Sequence, residues 1–238
     1  MAEELRVLEL NGTWTLSALP RGKKPVDCKW VYKIKRHADG SIERYKARLV
    51  AKGFTQVEGI DFSETFAPVA KLVTIRCFLA VAIAMKWEIH QMDVHNAILH
   101  GDLHEEVYMS LPPSLSTARL GQVCRLHKSL YGSRQASRNW FSKLADALYA
   151  YGFKQCGADH SLFTYSRGTI FIAVLVYVDD LLEAGNSSAH CNSFKRHGSR
   201  MKIMRDQLEW RIIWVPNLEI GTRHCTCSCG RMFVLEGN

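Results

Sequence analysis

The sequence predicts an α+β domain: an antiparallel sheet with helices packed on one side. Three observations carry that expectation. Residues 28–53 read as a β-hairpin, residues 162–184 as a strand, an Arg-Gly turn, a long strand, an Asp-Asp turn and a return strand, and two helical stretches with a strand between them separate the two regions. Strands that return on themselves through short turns give an antiparallel sheet, and amphipathic helices must bury their apolar stripes against it.

The elements follow in chain order. In "CKWVYKIKRHADGSIERYKARLVAKG", residues 28–53, alternating residues flank an Asp-Gly turn signal. Lys29, Lys33, Lys35, Arg36, Arg44, Lys46, Arg48 and Lys52 line its strands, with Trp30, Tyr32 and Tyr45 between them. A basic face with aromatics suits a nucleic-acid backbone or a triphosphate. It equally suits an edge hairpin whose lysines discourage aggregation. Residues 71–86 place apolar side chains at 72, 75, 79, 82 and 83, a helix with a wide buried face. "WEIHQMDV", residues 87–94, reads as a strand that puts Trp87, Ile89, Gln91 and Asp93 on one face. "EEVYMSLPP" is a short strand stopped by two prolines. A second helix carries the stripe Trp140, Leu144, Ala147, Leu148 and Tyr151 and stops at Gly152. Its arginine-bearing start, "GSRQASR", suits a phosphate or a solvated end.

"FIAVLVYVDDLLEAGN", residues 171–186, poses the chemical question. The most apolar run of the chain ends in two adjacent aspartates. Carboxylates beside a buried strand are costly unless they are paired or bound to metal. With Asp93 at the end of the other strand, Asp179 and Asp180 make three acids able to hold two Mg²⁺ ions for an in-line displacement; by spacing alone, an Asp-Asp pair equally marks an ordinary turn.

Composition narrows the class. The chain has 238 residues, 47% hydrophobic and 23% charged, so it reads as globular. Its net charge of +8 favours polyanionic partners, nucleic acid first. No apolar run reaches membrane-span length, and "MAEELRVLEL" lacks the basic start and apolar core of a signal peptide, so an intracellular protein is expected. Five of the eight cysteines are scattered singly, without a disulfide framework. In "RHCTCSCG", His224, Cys225, Cys227 and Cys229 have a tighter spacing than ordinary zinc ligands.

Four stretches together closely resemble one family. "KWVYKIKRHADGSIERYKARLVAKGFTQVEGIDFSETFAPVAKL", "QMDVHNAILHGDLHEEVYM", "KSLYGSRQASRNWF" and "LVYVDDLLEAGN" resemble the reverse transcriptase of copia-type LTR retrotransposons, from about Leu5 to about Asn186. The resemblance implies a polymerase fingers-and-palm fold and DNA synthesis from dNTPs on a primed RNA or DNA template, with two Mg²⁺ (or Mn²⁺) ions. It makes Asp93, Asp179 and Asp180 the catalytic metal ligands. It gives Lys46 and Arg48 to the incoming triphosphate, and Tyr131, Gly132 and Gln135 to the nucleotide pocket. Ile98 stands where the family carries a phenylalanine that resembles the gate against a ribose 2′-OH. The expected partners are template, primer, dNTPs and other parts of a Pol polyprotein (RNase H, integrase), with no membrane. The expected place is the cytoplasm, in a retrotransposon particle.

The expected organisation is a lead-in at 1–27, fingers and palm at 28–186 and a degenerate tail at 187–238. The chain begins where the resemblance begins and reads as a fragment of a polyprotein. Three further departures from the family stand out. Glu183 replaces an apolar residue; it points to solvent, adds a fourth acid near the metals, or is a damaging substitution. Ser133 and Ser137 stand where leucine and proline are common. From about residue 198 the family pattern is lost, as in a frame-shifted translation with the thumb missing or degraded. The competing expectation is a non-catalytic nucleic-acid-binding remnant of a transposable element.

Overall fold

The computed structural model describes residues 1–94, 96–113, 115, 121–200 and 211–212. The elements are α1 (Ala2–Leu10), β1 (Trp14–Ala18), β2 (Cys28–Arg36), β3 (Ile42–Ala51), α2 (Leu72–Ala84), β4 (Glu88–Asp93), β5 (Tyr108–Met109) and β6 (Gln122–Leu126). There follow α3 (Ala136–Tyr151), β7 (Lys154–Gln155), β8 (Leu162–Arg167), β9 (Ile170–Tyr177), β10 (Asp180–Gly185), α4 (Ser188–Arg200) and β11 (Arg211–Ile212).

The central sheet has the strand order β11-β4-β10-β9-β8-β7, and all its pairs are antiparallel. Its middle strand β9, "IFIAVLVY", is apolar in both directions of the pleat, and a strand of that kind must be covered on both faces. On one face Met92, Ile172, Val174, Val176 and Leu181 pack with Trp140, Leu144 and Leu148 of α3 and Cys191 and Phe194 of α4. On the other, Ile89, Ala173, Leu175, Leu182 and Ala184 pack with Ile75, Phe78 and Ala82 of α2. The expectation of helices on one side is therefore corrected: α2 lies opposite α3 and α4. Burying only one face would have left Leu175 and Leu182 in water.

The helix ends explain their lengths. α3 stops at Gly152, whose φ of 108° is open to glycine; its N–H donates to the carbonyls of Leu148 and Tyr149. α2 has no cap of its own. Asp159, from the loop before β8, accepts hydrogen bonds from the Lys71 amide at 3.2 Å and the Thr74 hydroxyl at 2.5 Å.

β2 and β3 form a separate two-stranded sheet. Its pairing, Lys33↔Lys46, Lys35↔Arg44, Val31↔Arg48 and Lys29↔Val50, puts six basic side chains on one face. Trp30, Tyr32, Ile34, Tyr45 and Leu49 fall on the other. The connection is longer than a two-residue turn. It spans residues 37–41, closed by His37 and Ser41, with the Asp39 carboxylate accepting from the Ser41 amide and hydroxyl.

The residues before the hairpin are part of the structure. Leu8 of α1 and Val26 join Leu49, Leu126 and Leu130 in a second core, and β1 pairs with β6 in a three-stranded sheet, β1-β6-β5. α4 extends the ordered architecture past Asn186. The cysteine cluster with His224, Cys225, Cys227 and Cys229, the segment read as frame-shifted apart from α4's last turn and β11, and any thumb lie outside the described residues.

Candidate active site

The acidic end of the central sheet is built by register. Asp180 opens β10 with its Cα opposite Asp93, the last residue of β4, and opposite Tyr177, the last residue of β9. Val178 and Asp179 are then the two central residues of a tight hairpin. Val178 takes φ 58°, a left-handed conformation that a β-branched residue rarely adopts. A strain of that kind is worth about 1–3 kcal/mol and persists only where surroundings hold it.

Two donors from outside the hairpin hold the turn. The Trp140 indole N–H donates to the Val178 carbonyl at 2.7 Å. The Val94 amide donates to the Asp179 carbonyl at 2.9 Å. Asp180 is only 4% exposed, and the Gln91 side-chain amide reaches its Oδ1 at 3.4 Å. Asp179 is half-buried. A cleft of about 180 Å³ opens beside the turn, lined by Ala67, Pro68, Val69, Trp140, Phe141 and Val178 among others.

The basic hairpin is tied to this end of the sheet by a chain of contacts. The Arg48 guanidinium lies over the Tyr131 ring, 4.5 Å from its centroid. The Tyr131 hydroxyl is 3.4 Å from the Asn96 side-chain oxygen, three residues past Asp93. Asn96 stands at φ 56°, which asparagine tolerates better than most residues. Lys46 is two residues from Arg48 on the same face. Burial, then the neighbouring charges of Arg48, Lys35 and Arg44, hold its ammonium below the usual lysine range.

Gly132 and Gly53 bring the two regions into contact. A Cβ on Gly132 would stand 2.3 Å from the Ala51 carbonyl oxygen, and one on Gly53 would stand 2.1 Å from the Gly132 oxygen. The Ala51 amide donates to the Tyr131 carbonyl at 2.7 Å. Gln135 is fully buried; its amide donates to the Asp61 carbonyl at 3.0 Å and its oxygen accepts from Gln56 at 3.2 Å. It braces the loop that follows the hairpin. Ile98, on the short 3₁₀ turn Ala97–His100, packs partly buried against the core that contains Met92, Val94 and Trp140.

Glu183 neither reaches solvent nor joins the aspartates. It lies three residues past Asp180, so it points to the opposite face of β10, opposite His90 and Val174. It is 0% exposed, with the Lys195 ammonium of α4 at 3.6 Å. Burial pushes its carboxyl up to about 7, against the pull of Lys195. Cys191, on the same helix, is pushed up to about 12 by burial and by Glu183.

Trp140, Val94, Asn96 and Gln56 are the residues that sequence reasoning missed. Trp140 was visible only as one apolar position in a helical stripe. Its acceptor is a backbone carbonyl 38 residues away, which no local pattern announces.

Comparison with known proteins gives the same assignment along most of the chain. Residues 11–208 match the family described as reverse transcriptase (RNA-dependent DNA polymerase). The chain is 42% identical over 209 residues to the retrovirus-related Pol polyprotein from transposon TNT 1-94 of Nicotiana tabacum, covering 87% of this chain and 16% of that protein. It is 45% identical over 188 residues to the retrovirus-related Pol polyprotein from transposon RE1 of Arabidopsis thaliana, covering 78% and 13%. The transposon Ty1-BL Gag-Pol polyprotein of Saccharomyces cerevisiae is 30% identical over 189 residues, 77% of this chain and 10% of that one. The chain thus spans 16% or less of the length of these curated relatives. Because the matched residues 11–208 include the hairpin, both strands that bear aspartates and the turn between β9 and β10, the chain belongs to the reverse transcriptase (RNA-dependent DNA polymerase) family.

Proposed function

We propose that this chain extends a primer on an RNA or DNA template, joining dNTPs by attack of the primer 3′-OH on the α-phosphate. The single observation that carries the proposal is the register of Asp180 with Asp93, with Asp179 in the turn between β9 and β10. The backbone register brings three aspartate positions to one end of the sheet, and carboxylates are hard oxygen donors of the kind that suit Mg²⁺ or Mn²⁺. Asp93, Asp179 and Asp180 would hold two such ions, which when bound activate the attacking hydroxyl and stabilise the leaving pyrophosphate.

In this reading the central sheet is the palm and the β2–β3 hairpin the fingers. Lys46 and Arg48 receive the triphosphate, as charge-assisted donors to phosphate oxygens. Tyr131 and Gly132 form the floor between fingers and palm. Gln135 serves the nucleotide pocket by fixing the loop beneath it, and Ile98 borders the sugar. Template, primer and dNTPs are the partners, with RNase H and integrase segments of the polyprotein beside them. The setting is a cytoplasmic retrotransposon particle. No described helix is long and apolar enough to cross a membrane.

Primer extension tests the reading. Folded chain with primed RNA, dNTPs and Mg²⁺ is expected to extend the primer. Asp179→Asn is expected to abolish extension while leaving primer-template binding in place. Binding that persists without extension in either protein, and that ignores Mg²⁺, would favour the second reading, a non-catalytic nucleic-acid binder. The six basic side chains on one hairpin face support that reading independently of the aspartates.

A further inference from the structure

The turn that carries Asp179 is strained at Val178, and consecutive carbonyls of that turn are held by donors from two other elements. Val178 O accepts from the Trp140 indole of α3 at 2.7 Å, and Asp179 O accepts from the Val94 amide after β4 at 2.9 Å. The Cα of Asp179 sits between those two peptide planes. Fixing both carbonyl directions fixes φ and ψ at Asp179, and so the direction of its Cα–Cβ bond, from which the carboxylate swings. Trp140 is well suited to this. It is 1% exposed, belongs to the same core as Leu144, and faces the His100 ring, whose centroid is 6.0 Å away. If the turn relaxed, the buried indole N–H would lose its acceptor, a penalty larger than the bond's net worth.

We infer that Trp140 is a positioning residue for the metal-binding turn: its indole N–H holds the strained Val178 peptide so that Asp179 presents its carboxylate to the divalent cation. The inference rests on the polymerase reading above, and extends it to a residue that touches neither metal nor nucleotide. It also accounts for a valine at φ 58°. The strain favours relaxation of the turn, and the indole opposes it from a rigid helix.

The test uses the full chain and reads two quantities, Mn²⁺ binding by electron paramagnetic resonance and single-nucleotide extension. Trp140→Phe keeps an apolar ring and removes the donor. Replacing Trp140 with β-(3-benzothienyl)alanine keeps the ring outline without the N–H, and serves if the phenylalanine variant does not fold. Either change is expected to weaken Mn²⁺ binding and lower kcat by about tenfold, the scale of one hydrogen bond, with KM for dNTP and affinity for primer-template within about twofold. Val178→Gly removes the strain, because glycine takes positive φ freely. In that background the loss from Trp140→Phe is expected to shrink to about threefold or less.

A Trp140 variant that melts earlier yet keeps wild-type Mn²⁺ affinity and kcat overturns the inference and leaves the polymerase reading intact. So does an equal loss in both backgrounds. A folded wild-type chain that neither extends primer nor binds Mn²⁺ overturns the polymerase reading, and the inference falls with it.

Discussion

Glu183 and Lys195 form a buried ion pair on the face of β10 turned away from the aspartates, where desolvation of both charges offsets their attraction. Glu183→Leu alone takes the Glu183 carboxylate away from the buried Lys195 ammonium and is expected to destabilise the fold by about 3–5 kcal/mol. Glu183→Leu with Lys195→Met is expected to be neutral or stabilising by about 1–4 kcal/mol, read from urea denaturation. The pair also sets a pH dependence. Glu183 titrates near 7 when folded and near 4.5 when unfolded, so the folded chain binds the extra proton between those values. Stability contributed by this group therefore falls as pH rises from 4.5 to about 7. His90, whose folded pKa is lowered by burial and then by Lys195, pulls the other way below 6.5. The difference between wild type and Glu183→Gln isolates the Glu183 slope, because Lys195 then stays in place beside His90. Ile98 yields a residue-scale prediction of another kind. A phenylalanine at that place is expected to raise discrimination against ribonucleotides, measured as the dTTP-to-UTP incorporation ratio; an unchanged ratio removes Ile98 from the sugar pocket.

At the scale of elements, Asp159 and Gly132 are joints. The Asp159 carboxyl is raised by burial, but hydrogen bonds from the Ser161 and Thr74 hydroxyls and the Ser161 and Lys71 amides outweigh that and hold it at about 2. Asp159→Ala removes the only side-chain cap described for α2 and is expected to lower stability by about 1–3 kcal/mol, seen as an earlier melt. Gly132→Ala cannot be accommodated 2.3 Å from the Ala51 oxygen, so the hairpin must lift from the loop before α3.

The elements that were legible in the sequence are those with strong local signals. The hairpin showed period two and an Asp-Gly, β9 showed an unbroken apolar run, and α3 showed a stripe ended by Gly152. β1 and β6, five residues each, alternate too weakly to be read alone and exist because each completes the other's ladder. α4 is polar except where Cys191, Phe194 and the Lys195 stem meet the sheet, so its period was hidden. The two-sided cover of the sheet was legible in β9, but assigning helices to faces needs the topology. Of the candidate site, the three aspartates were readable from their strand ends. Arg48 on Tyr131, 83 residues apart, was not, because stacking across elements leaves no spacing in the chain.

At the scale of the whole molecule, the net charge of +8 is concentrated where it can act, on one face of an exposed hairpin. Lys33→Glu with Lys35→Glu is expected to weaken primer-template binding and flatten its salt dependence by about 0.7–0.9 in log-log slope per lost phosphate contact, read from titrations at several salt concentrations. An unchanged slope would take these lysines off the nucleic-acid path. The same face has a second consequence. Among the described residues, β2 and β3 pair as strands only with each other, so their outer edges are open to a passing strand except near Leu49 and Ala51, whose amides meet Glu4 and the Tyr131 carbonyl. Tyr32 and Tyr45, 65% and 75% exposed, would reward such an encounter. Mutual repulsion between two hairpins of the same charge is what opposes it, and that repulsion fades with added salt or a bound polyanion. The charges that would receive a nucleic acid also set the colloidal behaviour of the free chain.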